Sequence, residues 1–132
     1  MMGYMQKTKS AYELLIDLLL RFRFPCTLPS EIGDSLGVEL PRYPTFPQLI
    51  QNISSCNPTT LHRFMSREDA ENAFTTAQRK ERFVGNSLFS YYFNEGWIEF
   101  VLKFDDNSRL RRLYVHHKSI KEDEGIEIPL HK

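Results

Sequence analysis

Only two cysteines, Cys26 and Cys56, occur among 132 residues. They are too few for a disulfide scaffold, and their spacing matches no zinc motif. Reduced, buried thiols are the expected state. Net charge is lacking too: 17 basic residues balance 17 acidic ones. No global field therefore draws the chain toward nucleic acid or an anionic membrane, and any electrostatic recognition has to be local. Long apolar runs are missing. The longest, Leu14 to Leu20, is broken by Asp17 and falls well short of the ~20 residues that span a bilayer. Glu13 and Asp17 stand where the apolar core of a secretory signal would lie, and no small-residue cleavage pattern precedes Cys26. Cytoplasmic residence is the resulting expectation, with no membrane contact. The sequence also has no glycine-rich phosphate loop, no G-x-S-x-G and no H-E-x-x-H.

What is present is aromatic and patterned. LFSYYF from Leu88, WIEFVLKF from Trp97 and RLRRLYVHH from Arg109 are separated by turn-forming clusters at Asn94–Gly96 and Asp105–Ser108. Three such runs predict an antiparallel three-stranded meander. Asp and Asn suit the second turn because their side chains hydrogen-bond nearby backbone and tolerate unusual φ. Successive strand residues point to opposite faces. Ile98, Phe100, Leu102 and Phe104 therefore form a core side, joined by Leu113 and Val115. Trp97, Glu99, Val101 and Lys103 point outward, with Arg112, Tyr114 and His116.

Helices are expected upstream. From Ser10, a plausible N-cap, AYELLIDLLLRF places Glu13, Asp17 and Arg21 in one narrow wedge and apolar residues nearly everywhere else. A surface helix needs an apolar stripe only ~100° wide or somewhat more, so this one wants cover on two sides. Leu15, Leu19 and Phe22 are its candidates for self-association, which would make a homo-oligomer. Ser30 to Leu36 reads as a short helix ended by Gly37. Another begins near Thr45, with Pro47 in its first turn and Phe46, Leu49, Ile50 and Ile53 on its apolar face. Pro41, Pro44 and Pro47 route the chain between the two. Asn57-Pro58-Thr59 opens a helical turn through Phe64. Ser66-Arg67-Glu68-Asp69 resembles a capping box. It starts a helix running to about Lys80, whose acidic start and basic end (Arg79, Lys80, Arg82) match the helix dipole. A charged tail follows the meander, with one short strand at Ile126–Ile128.

Candidate chemistry is sparse. His116 and His117 are neighbours on a strand and face opposite ways, so they cannot easily share a metal ion, and surface or edge positions are expected for both. No cofactor or metal is expected. A Cys56–His62 nucleophile pair has no visible third group. The basic run Arg109–Lys121 contains no acidic residue but is followed at once by Glu122, Asp123, Glu124 and Glu127, which can fold back and neutralise it. Nucleic-acid binders usually carry a net basic domain, so a nucleic-acid partner is not expected. Aromatic residues interleaved with arginine are typical of interaction surfaces. Trp97, Arg112, Tyr114 and His116 are therefore the candidate partner-binding set.

The order of helices, then SYYF and WIEFVLKFDDNSRL, resembles the helix–helix–meander layout of small outer-membrane-assembly lipoproteins and β-lactamase-inhibitor-like domains. The resemblance implies an architecture only, and the lipidation signal of such lipoproteins is absent. The expected fold is α+β: one domain over residues 1–132, with 1–9 and 129–132 loose, and several helices packed on one face of a small antiparallel sheet. The expected function is non-enzymatic binding of another protein, as a regulator, adaptor or toxin-neutralising module. The alternative is a small enzyme or ligand carrier with a cavity between helices and sheet.

Overall fold

The computed structural model describes residues 27–41 and 45–131. The apolar segment carrying Leu15, Leu19 and Phe22 lies outside the described residues, as do Cys26 and Pro44. Within them the chain is α+β, with three helices and one antiparallel sheet. Helix α1 is Pro29–Leu36, α2 is Phe46–Ser54 and α3 is Arg67–Asn72; the strands are β1 Arg79–Phe83, β2 Asn86–Phe93, β3 Gly96–Phe104, β4 Leu110–His116 and β5 Ile126–Ile128. The sheet order follows the sequence, β1-β2-β3-β4-β5.

Local chemistry accounts for the helix ends. Pro29 suits the first position of α1, where its missing N–H would have no helical partner. Glu31 reaches back to accept the Leu28 N–H at 2.9 Å. Gly37 ends α1 at φ 71°, a left-handed conformation that glycine adopts without a Cβ penalty. Thr45 caps α2, its hydroxyl accepting the Gln48 N–H, and Ser66 caps α3 by accepting the Asp69 N–H at 3.1 Å.

The expected three-stranded meander is the centre of a five-stranded sheet. The Ile126–Ile128 strand forms as expected and pairs with β4. The other addition differs from the sequence expectation. The helix from Arg67 does not reach Lys80: it ends at Asn72, and Arg79–Phe83 forms β1 on the edge of β2. Two β-branched residues, Thr75 and Thr76, follow the helix, and such side chains lose rotamer freedom in a helical turn. Thr76 instead bonds the Tyr91 hydroxyl at 3.3 Å. All five β1 residues are exposed, so no alternation marks them as a strand. Hydrogen bonding along β2 places them there. The 57–64 stretch is also irregular rather than a helical turn. Phe64 within it adopts φ 73° and donates its N–H to Leu110 O at 2.7 Å.

Side chains of all three helices share one buried cluster with β2, β3 and β4. Ile32 and Leu36 come from α1, Leu49, Ile50 and Ile53 from α2, and Ala70 from α3. At its middle, Phe100 stands between Phe89 and Val115 in the ladder. Its ring lies 5.4 Å from that of Phe74 and 5.9 Å, edge-on, from that of Tyr91. Tyr91 brings a hydroxyl into the core, and Ser35 of α1 meets it at 2.6 Å.

Two further contacts tie loops to the sheet. Arg67 donates from Nη2 to Phe83 O, Asn86 O and Ser87 Oγ, and from Nε to Glu71, while its guanidinium sits 4.8 Å from the Phe104 ring centre. The segment expected to be loose after β5 is held as well: Leu130 is buried and His131 O accepts the Arg63 N–H at 2.8 Å.

The centrality of Phe100 sets the first prediction. Phe100→Ala should cost roughly 3–5 kcal/mol in urea unfolding, as buried aromatic truncations do. Val84→Ala, at a fully exposed hairpin tip, should leave the midpoint unchanged. Equal effects of the two changes would refute the core assignment.

Candidate functional site

The pleat of β3 and β4 places the sequence-nominated residues as expected. Ile98, Phe100, Leu102, Leu113 and Val115 are buried in the core, whereas Trp97, Glu99, Val101, Lys103, Tyr114 and His116 are half-buried and Arg112 is exposed. Cross-strand partners on this outward face are Glu99 with His116, Val101 with Tyr114, and Lys103 with Arg112. From β2 the same face receives Leu88, opposite Val101, Ser90, opposite Glu99, and Tyr92, opposite Trp97. An apolar band of Leu88, Val101 and Tyr114 thus crosses three strands, and Tyr92 with Trp97 forms a second aromatic pair at one end.

Three of the four nominated residues, Arg112, Tyr114 and His116, lie side by side on β4. Trp97 sits at the end of the face. Its ring is 5.2 Å from Tyr92, edge-on, and the Arg79 guanidinium lies 4.9 Å from its centre. Neither aromatic residue is without further partners. Sequence reasoning missed Arg79 and Tyr92. Arg79 falls in a stretch whose sequence predicts a helix, and Tyr92 joins the face only through the pairing of β2 with β3.

Electrostatically the face is mixed. Lys103 and Arg112 are directly opposite, and like charges so placed repel. Acidic residues of the tail relieve this: Glu124 Oε1 accepts from Lys103 Nζ at 2.8 Å, and Glu127 lies 3.6 Å from Arg112. The tail therefore does fold back onto basic residues. The hydrogen bond from Lys103 and its charge hold the Glu124 carboxyl below the ordinary carboxylate range. The Lys103 ammonium also sits 5.1 Å from the Tyr114 ring centre, and Arg112 reaches the Tyr114 hydroxyl at 3.5 Å. Glu99 and His116 approach to 3.7 Å.

The other nominated chemistry disperses. Cys56 is half-buried rather than buried; desolvation pushes its thiol above the ordinary value, with a backbone hydrogen bond opposing. A thiol so shifted is not a ready nucleophile at neutral pH. It borders an open depression of about 350 Å³ with Leu40, Asn52 and Ser55, where Asn52 Nδ2 is buried without a hydrogen-bond partner. His62 Nδ1 meets Arg63 O instead, at 3.1 Å. Among the described residues no group of three or more His, Cys, Asp or Glu could hold a metal ion, and no helix is long and apolar enough to cross a membrane.

His117 departs from the expected surface or edge position: it is buried. Its ring packs 4.9 Å from Phe46 of α2. Nδ1 accepts the Ser119 N–H at 3.1 Å, which leaves the proton on Nε2 to donate to Glu95 O at 2.9 Å. Both turns at this end of the sheet thus depend on a neutral imidazole. Desolvation lowers its pKa most, the bond to Glu95 opposes, and Lys118 and His116 lower it further.

The chain matches no family model, no curated protein and no solved structure at a significant level. Inference about function thus rests on the geometry.

A depressed folded-state pKa means that the unfolded chain takes up the His117 proton first. The stabilisation is then complete above the unfolded-state pKa of about 6.5 and is lost as pH falls through it toward the folded value. Urea unfolding at pH 7.5 and 5.5 should show lower stability at the acid end, with a smaller loss in His117→Asn. An equal loss in that variant would place the acid sensitivity on other groups.

Proposed function

We propose that this chain is a non-enzymatic protein-binding module whose partner docks on the outward face of the sheet. In this reading the helices cover the opposite, core face and leave the outward one to recognition. The observation that carries the proposal is the composition of that face. An apolar band of Leu88, Val101 and Tyr114 runs beside Arg112 and His116, with charged pairs at its rim. Protein interfaces favour this arrangement, with aromatic and arginine anchors inside a polar rim. Much of the face's positive charge is already matched by Glu124, Glu127 and Glu99, which suits a mixed protein surface better than a phosphate backbone. The partner is a protein with a partly apolar, mixed-charge surface, and the process it serves stays open. Cytoplasmic residence remains part of the proposal.

The open depression beside Cys56 gives little support to the enzyme or carrier alternative. Ligand sites of comparable volume are enclosed clefts with convergent polar groups.

The test pairs stability with binding. The wild-type chain, carrying a photo-crosslinker at Val101, is irradiated in native lysate, and the adduct is identified and re-measured with purified partner. Tyr114→Ala and Arg112→Ala should each weaken that affinity by ~2 kcal/mol or more if they are anchors, with thermal midpoints close to wild type. Wild-type affinity in both variants would remove the outward face from consideration and turn attention to the helices.

A further inference from the structure

The sheet has an open margin at β1. That strand is an edge of the order β1-β2-β3-β4-β5, and all five of its residues are exposed. Val84 and Gly85 alone connect it to β2, and Phe83 pairs with Asn86 across this turn. Next to a two-residue turn an antiparallel ladder starts with a hydrogen-bonded pair, and bonded and non-bonded pairs then alternate. The N–H and C=O groups of Lys80 and Arg82 therefore point away from β2. Among the described residues no other backbone group bonds to them. Such a row is a template for a further strand.

Proteins guard an edge of this kind with charged side chains, lysine above all. Here those charges are drawn to either side of the edge. Lys80 Nζ donates to Thr75 O at 3.0 Å and Arg82 Nε to Glu71 at 3.1 Å, both beneath the hairpin. The Arg79 guanidinium lies 4.9 Å from the Trp97 ring centre on the outward face. Their charge is only partly compensated, since Thr75 O is neutral and the Glu71 carboxylate is shared between Arg82 and Arg67. Arg67 also holds Phe83 O and Asn86 O. The strand is thus braced in its extended form before anything binds, which lowers the ordering cost of pairing with it.

We infer that β1 receives an acidic, extended segment of another protein as a sixth, antiparallel strand of the sheet. Main-chain hydrogen bonds supply the affinity in this mode of recognition, and alternate side chains supply the selectivity. Charge chooses this occupant over a second copy of the chain. The residues that exchange hydrogen bonds across the new edge are those turned toward it, here Lys80 and Arg82. Two copies of β1 aligned antiparallel over them would set lysine or arginine opposite lysine or arginine in every such register. Like charges so placed are destabilising. A segment with aspartate or glutamate at alternate positions meets both cations instead, and an apolar residue beside it reaches the exposed Phe83. This margin is separate from the Tyr114 and Arg112 contacts on the outward face, so either docking can fail without the other.

The probe is the end-blocked peptide Thr-Val-Glu-Thr-Glu-Thr, titrated to millimolar concentration into the isotope-labelled full chain. The Lys80 and Arg82 amide protons should move downfield, saturably, and gain protection from exchange. The same peptide N-methylated at both glutamates keeps its charge but loses those donors, and should bind about tenfold more weakly or worse. Lys80→Glu should weaken the unmodified peptide severalfold, with a thermal midpoint close to wild type. Unmoved β1 amides would overturn the inference. So would equal binding of the N-methylated peptide, which would leave charge attraction without a strand, and so would undiminished affinity in folded Lys80→Glu. Shifts confined to Val101, Tyr114 and Arg112 would overturn it by assigning the peptide to the outward face. Dimerisation of the unmutated chain that protects Lys80 and Arg82 would give the edge to a second copy and overturn it as well. Should Lys80→Glu fail to fold, the two peptides on the unmutated chain decide the matter.

Discussion

Phe100 stacks the fold's dependencies in one place. Its backbone lies mid-ladder between Phe89 and Val115, and its ring meets Phe74 from the loop after α3 and Tyr91 from β2. Tyr91 carries the constraint onward to α1 through Ser35 and to the α3–β1 connection through Thr76. Phe74 also stacks face to face on Phe89 at 4.9 Å. The central strand thus sets two things at once. Its inward residues enter the buried cluster to which all three helices contribute side chains, and its pleat fixes by period two which residues point the other way. A slip of one residue would bury Glu99 and Lys103 and expose Phe100, so the register of the outward face is only as secure as the packing beneath it.

A second constraint acts at the β1–β2 hairpin. Arg67 satisfies three oxygens of the hairpin, while Glu71 accepts from Arg67, Arg82 and Ser87. Desolvation would raise the Glu71 carboxyl, but the bonds from Ser87 and Arg67 and the charges of Arg82 and Arg67 outweigh it and hold the carboxyl below its ordinary value. These contacts explain how an edge strand with no buried residue stays in place. β1 matters to the outward face because it delivers Arg79 over Trp97. The ionic cluster under the hairpin is therefore remote from Trp97 but determines what stands beside it.

The fold was legible where local chemistry and burial agree. Proline in the first turn of α2, Gly37 at a helix end, Ser66 as a cap, and the alternation of β3 each carry their meaning within a few residues. β1 was not legible because RKERF alternates nothing: its state is set by hydrogen bonds to β2, a tertiary fact that propensity does not encode. The burial of His117 was hidden for a similar reason, since its partners Glu95 and Phe46 are distant in sequence. For the candidate site, the outward assignment of Trp97, Arg112, Tyr114 and His116 followed from period two. Their distribution did not, because it required knowing that Tyr92 and Arg79 gather around Trp97 while Lys103 and Arg112 gather around Tyr114.

That distribution divides the outward face into two halves of different character. Around Tyr114 the side chains are held by ion pairs with the acidic tail, and such exposed pairs are weak and easily rearranged by a competing surface. Around Trp97 the contacts are aromatic and the neighbouring Tyr92 is nearly removed from water, so exposing this half costs apolar burial. If a protein docks here as proposed, the Tyr114 half would yield to it at lower cost than the Trp97 half. In the proposed reading, docking would begin at Tyr114 and Arg112, where the ion pairs rearrange cheaply, before it disturbs the aromatic contacts at Trp97.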